Sequence, residues 1–472
     1  MFHLKENGTT ARTEIVAGLT TFMTMCYIIA LNPNILTGFG QDGGQELWNA
    51  VFMATCLASA FGTLTMAFLA NKPFVMAPGM GLNNFFAVVV SNMVMITGAS
   101  YTQCFQGALC ITFIEGVVFV ILSVTNVREK IVNAIPLGIR LGIGPAIGIM
   151  LMNIGFGSNA GVYNADGTPF YVMKDYFGAL TPSILFGQMG ESYSTMVLTV
   201  VTILVGVMVI VLLEMKNVRG NVLIGMLVAT VTYWIGEAVF MDINPFESLR
   251  NASFIPPFQD MIELTLFKFN FASLFDIGVF TTVTLIITFC MIDMFDTIGT
   301  LMGAASRGGM LREDGSMPKI KEALTSDAIG TVTGALTGTS TVTTFVESAT
   351  GVEAGGRTGL TSLTAGLMFL ISSFLAPIVV LIPAPATSAA LIYVGIVMLS
   401  GLKKIDLDDR YQLVPVAVML LTMPISGSIG HGIGLGMIFY TIMKVFTGKA
   451  KDVSLLTYII SLLFIIKFFT IV

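Results

Sequence analysis

Apolar residues run along this chain in stretches of about 18–25, separated by short polar turns, the length a helix needs to cross the hydrocarbon core of a bilayer. Such stretches are predicted near 14–36, 48–70, 74–90, 104–124, 139–156, 195–213 and 220–241, then near 278–305, 324–338, 341–352, 359–383, 386–401, 411–425 and 430–446. They form two groups of about seven. A last stretch, VSLLTYIISLLFIIKFFTIV, is long enough to span, but it follows a basic cluster and carries Lys467 near its end. It reads equally as a further span or as an interfacial helix.

Two stretches do not read as plain helices. FVMAPGMGLNNFFAVVV is interrupted by Pro78, Gly79 and Gly81, and GTSTVTTFVESATGVEAGG is rich in β-branched Thr and Val and ends in glycines. Each is predicted to be part extended chain and part half-helix, and they hold the third position of their groups. A matched pair of short, Gly/Pro-broken segments points to the binding site of a transporter. Asn83 and Glu347 lie 264 residues apart, as do Asn32 and Asp296. Those equal spacings suggest an internal repeat, and an odd number of spans per half inverts one half against the other.

Composition fits the pattern. The 472 residues are 55% hydrophobic and 11% charged, with a mean hydropathy of +0.86. Soluble domains carry about 25% charged residues, so the class is an all-α, multi-pass membrane protein. The net charge of −5 and the dispersal of basic residues among short loops argue against nucleic acid as a partner. The five cysteines, Cys26, Cys56, Cys104, Cys110 and Cys290, sit in apolar stretches without metal-ligand spacing, so no metal and no cofactor is expected. The polar start, MFHLKENGTTARTEIVAG, lacks a small-residue cleavage site and reads as a retained segment. With Lys5 and Arg12 in the cytoplasm, alternation places Lys72, Arg128, Lys130, Arg140, Lys216, Arg219, Arg307, Arg312, Lys319, Lys321, Arg357, Lys403, Lys404, Arg410, Lys449 and Lys451 there too. That is the positive-inside pattern of a cell-membrane protein (plasma or inner membrane) with a cytoplasmic N-terminus.

The chemistry lies in two carboxylates. Asp296, in CMIDMFDTIGT, and Glu347, in TTFVESATG, fall inside apolar stretches. An ionised carboxylate at membrane depth costs roughly 2.5–3.5 kcal/mol on insertion scales, so such residues line a substrate or ion path. A half-helix starting near Thr344–Glu347 would offer free N–H donors, with Glu347 as acceptor. Phe345, Phe85 and Phe86 supply flat faces. Donors, an acceptor and a stacking face together suit a planar heterocycle. Withdrawn carboxyls can take up and release a proton, which makes Asp296 and Glu347 candidate proton-coupling groups; the same oxygens also suit sodium. Asn83, Val346 and Thr344 join the candidate substrate-binding set, with Asp293, Asn84 and Asn32 as supporting residues. Glu115, mid-span, is a candidate for a hydrogen bond within the bundle. An anion carrier is disfavoured because the buried negative charges would repel its substrate. An intramembrane aspartyl hydrolase would need a YD and GxGD pair that the sequence lacks, so no catalytic residue is assigned and the chain is not read as an enzyme.

At these motifs the sequence closely resembles the AzgA-like purine permeases, a branch of the nucleobase–cation symporter-2 (nucleobase/ascorbate) transporters. The matching stretches are LKENGTTARTEIVAGLTTFMTMCYIIALNP, FVMAPGMGLNNFFA, DMFDTIGTLMGAAS and LTSDAIGTVTGALTGTSTVTTFVESATGVEAGGRTGLTS. Asn84 departs from that pattern, which has Ala after the residue matching Asn83. The resemblance implies a fold like that of uracil permease: fourteen spans in a seven-plus-seven inverted repeat, divided into core and gate. The core would take 1–125 and 246–384, the gate 126–245 and 385–447, with 448–472 a C-terminal hydrophobic or interfacial helix. It also implies a base held between the third and tenth segments by Asp296 and Glu347, with Phe345 and Val346 beside the latter. Import of adenine, guanine or hypoxanthine with protons, by a homodimer in the bilayer, is the activity it implies.

Overall fold

A computed structural model describes residues 2–38, 43–125, 135–162, 170–178, 181–189, 193–218, 220–247, 249, 253–307, 310 and 317–469. Arg128, Lys130, Arg219 and Arg312, expected on the cytoplasmic side, lie outside these residues. In the first group the principal helices are α1 (Ala11–Met25), α2 (Ile28–Leu36), α3 (Trp48–Thr65), α4 (Met80–Thr97), α5 (Tyr101–Val124), α6 (Leu137–Gly155), α7 (Tyr193–Met215) and α8 (Asn221–Phe240). The second group holds α9 (Val279–Arg307), α10 (Ile320–Thr337), α11 (Ser348–Glu353), α12 (Gly359–Ser372), α13 (Ala384–Met398), α14 (Arg410–Ser426), α15 (Ile429–Phe446) and α16 (Leu455–Phe469). Among the described residues, nine helical stretches are long and apolar enough to cross a membrane. Each falls on a stretch the hydrophobic pattern predicts.

Both broken segments contain strand. β1 (Met76–Pro78) pairs antiparallel with β2 (Val342–Thr344), with Met76 opposite Thr344 and Pro78 opposite Val342. Outside the strands, Gly79 N–H donates to the Thr341 carbonyl at 2.9 Å and Phe345 N–H to Val75 at 3.0 Å. Both strands are fully buried, where peptide groups have no water to bond, so an extended segment there must find another partner. The β-branched run Val342–Thr344 favours extension, and Pro78, at the strand end, has no N–H to leave unpaired. Gly338, at φ +111, turns the chain from α10 toward β2, a conformation open to glycine. The strand ends Pro78 and Thr344 are 266 residues apart (344 − 78). Across the paired strands the two halves therefore align two residues away from the equal spacing of 264 seen in the sequence.

Three successive hydroxyls hold β2 from behind. Thr339 Oγ1 accepts from Asn32 Nδ2 at 2.9 Å, Ser340 bonds Asn83 Oδ1, and Thr341 Oγ1 donates to Glu115 Oε2 at 2.8 Å. Each reaches a different helix of the first group: α2, α4 and α5.

A carboxylate joins the two halves on another side. Glu14, fully buried on α1, accepts from the backbone N–H groups of Arg357 (2.9 Å), Thr358 (3.2 Å) and Thr361 (3.3 Å), and from Thr361 Oγ1 at 2.6 Å. These include orphan donors at the start of α12, which a carboxylate caps well. Elsewhere α6 packs on α13 and α14, and α7 on α8 and α13. α6 and α13 come closest at Gly148 and Gly395, where a Cβ on Gly148 would meet the Gly395 carbonyl at 2.7 Å. α16 runs antiparallel along α15, with Ser461 bonding Thr441 at 2.8 Å and Phe468 against His431 at 5.5 Å between rings.

Replacing Glu14 by Ala strips these donors of their partner. An expected loss of about 3 kcal/mol follows, from several buried N–H groups left unsatisfied. Unfolding of the purified variant in detergent checks it, against Glu6→Ala on the exposed N-terminal turn as a neutral control.

Candidate functional site

α11 starts at Ser348, one residue past Glu347, so the sharp change from strand to helix carries Phe345, Val346 and Glu347. The Phe345 N–H is taken by Val75, while those of Val346 and Glu347 bond no backbone carbonyl among the described residues. The donor set is thus narrower than Thr344–Glu347.

Glu347 is 9% exposed, and its Oε1 accepts from the phenol of Tyr27 at 2.6 Å. Tyr27 sits in the break between α1 and α2 and is itself buried. Just before this break, α1 grips α11. Thr24 Oγ1 bonds Thr350 Oγ1 at 3.1 Å, and Thr350 Oγ1 donates to the Glu347 carbonyl at 2.7 Å. Gly351 lies so near α1 that a Cβ there would meet the Ala17 carbonyl at 2.8 Å. One carboxylate oxygen of Glu347 is therefore fixed by a neutral donor, and its backbone is held from the same helix.

Asp296, half-buried on α9, stands across from this end of β2. Both acids line one cavity of about 40 Å³ together with Gly79–Gly81, Thr300 and Thr343–Val346; Ile147, Leu151, Val394 and Met398 of α6 and α13 form the facing wall. Gly79 permits the approach: a Cβ there would lie 2.6 Å from Thr343 Cγ2 and 3.4 Å from Asp296 Oδ2. The Asp296 carboxylate makes no hydrogen bond to a protein side chain among the described residues. Behind it, Thr297 Oγ1 is within 3.1 Å of Asp293 Oδ1, 2.9 Å of Asp327 Oδ2 and 2.7 Å of Thr343 Oγ1.

Of the residues singled out from sequence, the structure brings Asp296, Thr344, Phe345, Val346 and Glu347 to this cavity. The others lie off its wall. Asn83 is fully buried, its Nδ2 donating to the Pro78 carbonyl at 3.2 Å and its Oδ1 bonded to Ser340, so its amide secures the strand break. Asn32 donates to Thr55 and Thr339. Phe86 is buried edge-on to Phe105 and Phe85 is buried against Phe289, and neither lines the cavity. Asn84 reaches the Gly427 carbonyl at 3.5 Å. Asp293 bonds Thr297, one turn away on its own helix. Sequence reasoning missed Tyr27, Asp327, Thr300 and the apolar wall. Asp327 carried the same signal as Asp296, an acid inside an apolar stretch; the wall carried none, being apolar among apolar.

Helices long and apolar enough to cross a bilayer, two strand breaks paired with each other and acids facing a small cavity define a multi-pass membrane transporter, not an enzyme. The chain belongs to the permease family of the xanthine/uracil type, whose profile matches residues 12–426. It is 37% identical to the adenine permease AdeP of Escherichia coli (strain K12) over 99% of this chain and 95% of that protein. It is likewise 37% identical to the guanine/hypoxanthine permease PbuG of Bacillus subtilis (strain 168), over 99% and 98%. In fold it is similar to the transmembrane domain of the cyanobacterial bicarbonate transporter BicA, with a TM-score of 0.60 at 15% identity, covering 89% of this chain and 96% of that one. The murine anion transporter Slc26a9 is similar as well, with a TM-score of 0.57 at 14% identity over 92% and 68%.

Removing the phenol leaves Glu347 Oε1 buried without its donor. Tyr27→Phe is expected to lower stability by about 1.5–3 kcal/mol, the range for hydrogen bonds to charged groups. The same change in a Glu347→Gln background should cost measurably less. Equal losses in the two backgrounds, read from detergent unfolding, would show that the pair is not coupled.

Proposed function

We propose that this protein carries purine nucleobases across the cell membrane by proton symport with alternating access. The observation that supports this most is the meeting of Glu347, Asp296 and the Phe345–Val346 turn on one cavity between the two strand breaks. Glu347, with one oxygen held by Tyr27, turns acceptor capacity toward the base, whose ring and exocyclic N–H groups are donors. The Val346 N–H answers one of its acceptors. Asp296 is the second partner and the proton-linked group. At about 40 Å³ the cavity is far below the roughly 300 Å³ at which ligand pockets begin, so a base enters only when the α6–α13 wall draws back. That movement is the alternation: a core of 1–125 and 246–384 shifts against a gate of 126–245 and 385–447. The N-terminus is cytoplasmic and the protein a homodimer in this reading.

The relatives' names support the substrate class and leave the purine open, since the adenine and the guanine/hypoxanthine permeases are equally identical to this chain. A second reading, anion transport, draws on the fold shared with BicA and Slc26a9. Two acids facing the cavity weigh against it, because an anion would meet like charge there. Uptake into reconstituted vesicles tests the choice. Glu347→Gln is expected to abolish purine uptake while the protein stays folded. Adenine, guanine or hypoxanthine should raise the unfolding temperature of the parent chain where bicarbonate and sulfate do not. Undiminished uptake by the variant would remove Glu347 from the mechanism.

A further inference from the structure

A second, larger cavity of about 560 Å³ lies along the same pair of surfaces. One side is polar and aromatic: Asn34 from α2, Gln45 and, at the start of α3, Trp48 and Asn49. Gly161, just beyond α6, and Pro383, just before α13, stand on the other. α6 and α13 are also the helices that wall the central cavity, through Ile147, Leu151, Val394 and Met398. At 1.5 Å per residue, Ala384 is about 15 Å along α13 from Val394, and Asn34 about 10 Å along α2 from Tyr27. The two cavities are therefore successive spaces along one seam. Between them α2 packs on α13, and Leu31, Ile35, Ile154 and Leu391 are buried in one apolar cluster.

The larger cavity carries oriented polar atoms. The Trp48 indole stacks on Phe52 at 5.5 Å, and its Nε1 donates to Asn34 Oδ1 at 2.8 Å. With Oδ1 engaged, Asn34 presents Nδ2 as a donor. Asn49 Nδ2 donates to Asp260 Oδ2 at 2.8 Å, which leaves Asn49 Oδ1 as an acceptor. Gln45 is exposed and offers both. A donor, an acceptor and an indole match the edge and face of a planar nitrogen heterocycle; the lining side chains carry no charge, and the Asp260 carboxylate beside them is bonded to Asn49. We infer that this cavity is a vestibule with its own nucleobase site, where the base rests on the far side of the apolar cluster from Glu347. The inference rests on the transport reading above and adds a second station to it.

The test uses Gln45→Cys in the full chain, reconstituted in vesicles and reacted with a membrane-impermeant maleimide. The native cysteines are buried or half-buried, and the parent chain gives their background. Adenine, guanine and hypoxanthine are each tried as protectant. At saturating concentration at least one is expected to slow labelling by about tenfold, and to do so equally when Glu347→Gln is added, since the central site is then disabled. Trp48→Leu should raise the half-protecting concentration by about tenfold, in line with the loss of one stacked base, while the labelling rate without purine reports that the cavity still forms. Protection that vanishes with Glu347→Gln would belong to the central site and overturn the vestibule, as would labelling that no purine slows. Purine uptake by the parent chain, measured in parallel, reports separately on the transport reading.

Discussion

Three residues of one strand paired with three of another are the constraint on which this molecule turns. Hydrocarbon offers peptide groups no alternative partner, so a chain that abandons the helix at mid-membrane must meet another that does the same. β1 and β2 satisfy each other, and the hydroxyls of Thr339, Ser340 and Thr341 tie the pair to three helices of the other half. Everything chemical hangs from the ends of that pairing. Glu347 follows β2 by three residues, Gly79 follows β1 by one, and the glycine's missing side chain leaves space for Asp296.

The supporting parts divide by what they hold. Asn83, first read as touching a guest, and Asn32, read as a supporting residue, hold backbone or hydroxyl groups of the strand break. Tyr27 holds the Glu347 carboxylate, and Glu14 holds the start of a helix. In a membrane interior each such group needs a designated partner, because an unpaired one costs several kcal/mol. Buried asparagines and threonines at this depth therefore say less about a ligand than acids do.

How much of this could be read from sequence follows from the same physics. Spans were legible because hydrophobicity alone sets them, and the broken segments because Pro78, Gly79, Gly81 and the Thr/Val run violate helix preferences. The acids stood out by their cost. What could not be read was anything that depends on register across hundreds of residues. Equal spacing of 264 looked like a repeat of residues, yet the strands align at 266, and nothing local signals a two-residue difference. Tyr27 sits in an apolar context where a tyrosine is unremarked, and its role appears only when α1 is laid against α11. The facing wall of Ile147, Leu151, Val394 and Met398 has no signature at all, since its residues match those of any lipid-facing surface.

That wall has a mechanical character of its own. At Gly148 and Gly395 the two helices approach so closely that a Cβ on Gly148 would strike the Gly395 carbonyl, with Met152 and Met398 packed beside the contact. Helices that touch this way leave no room at that level for one to slide inward past the other. In the transport reading proposed above, space beside Glu347 would come from α6 and α13 moving together as a pair.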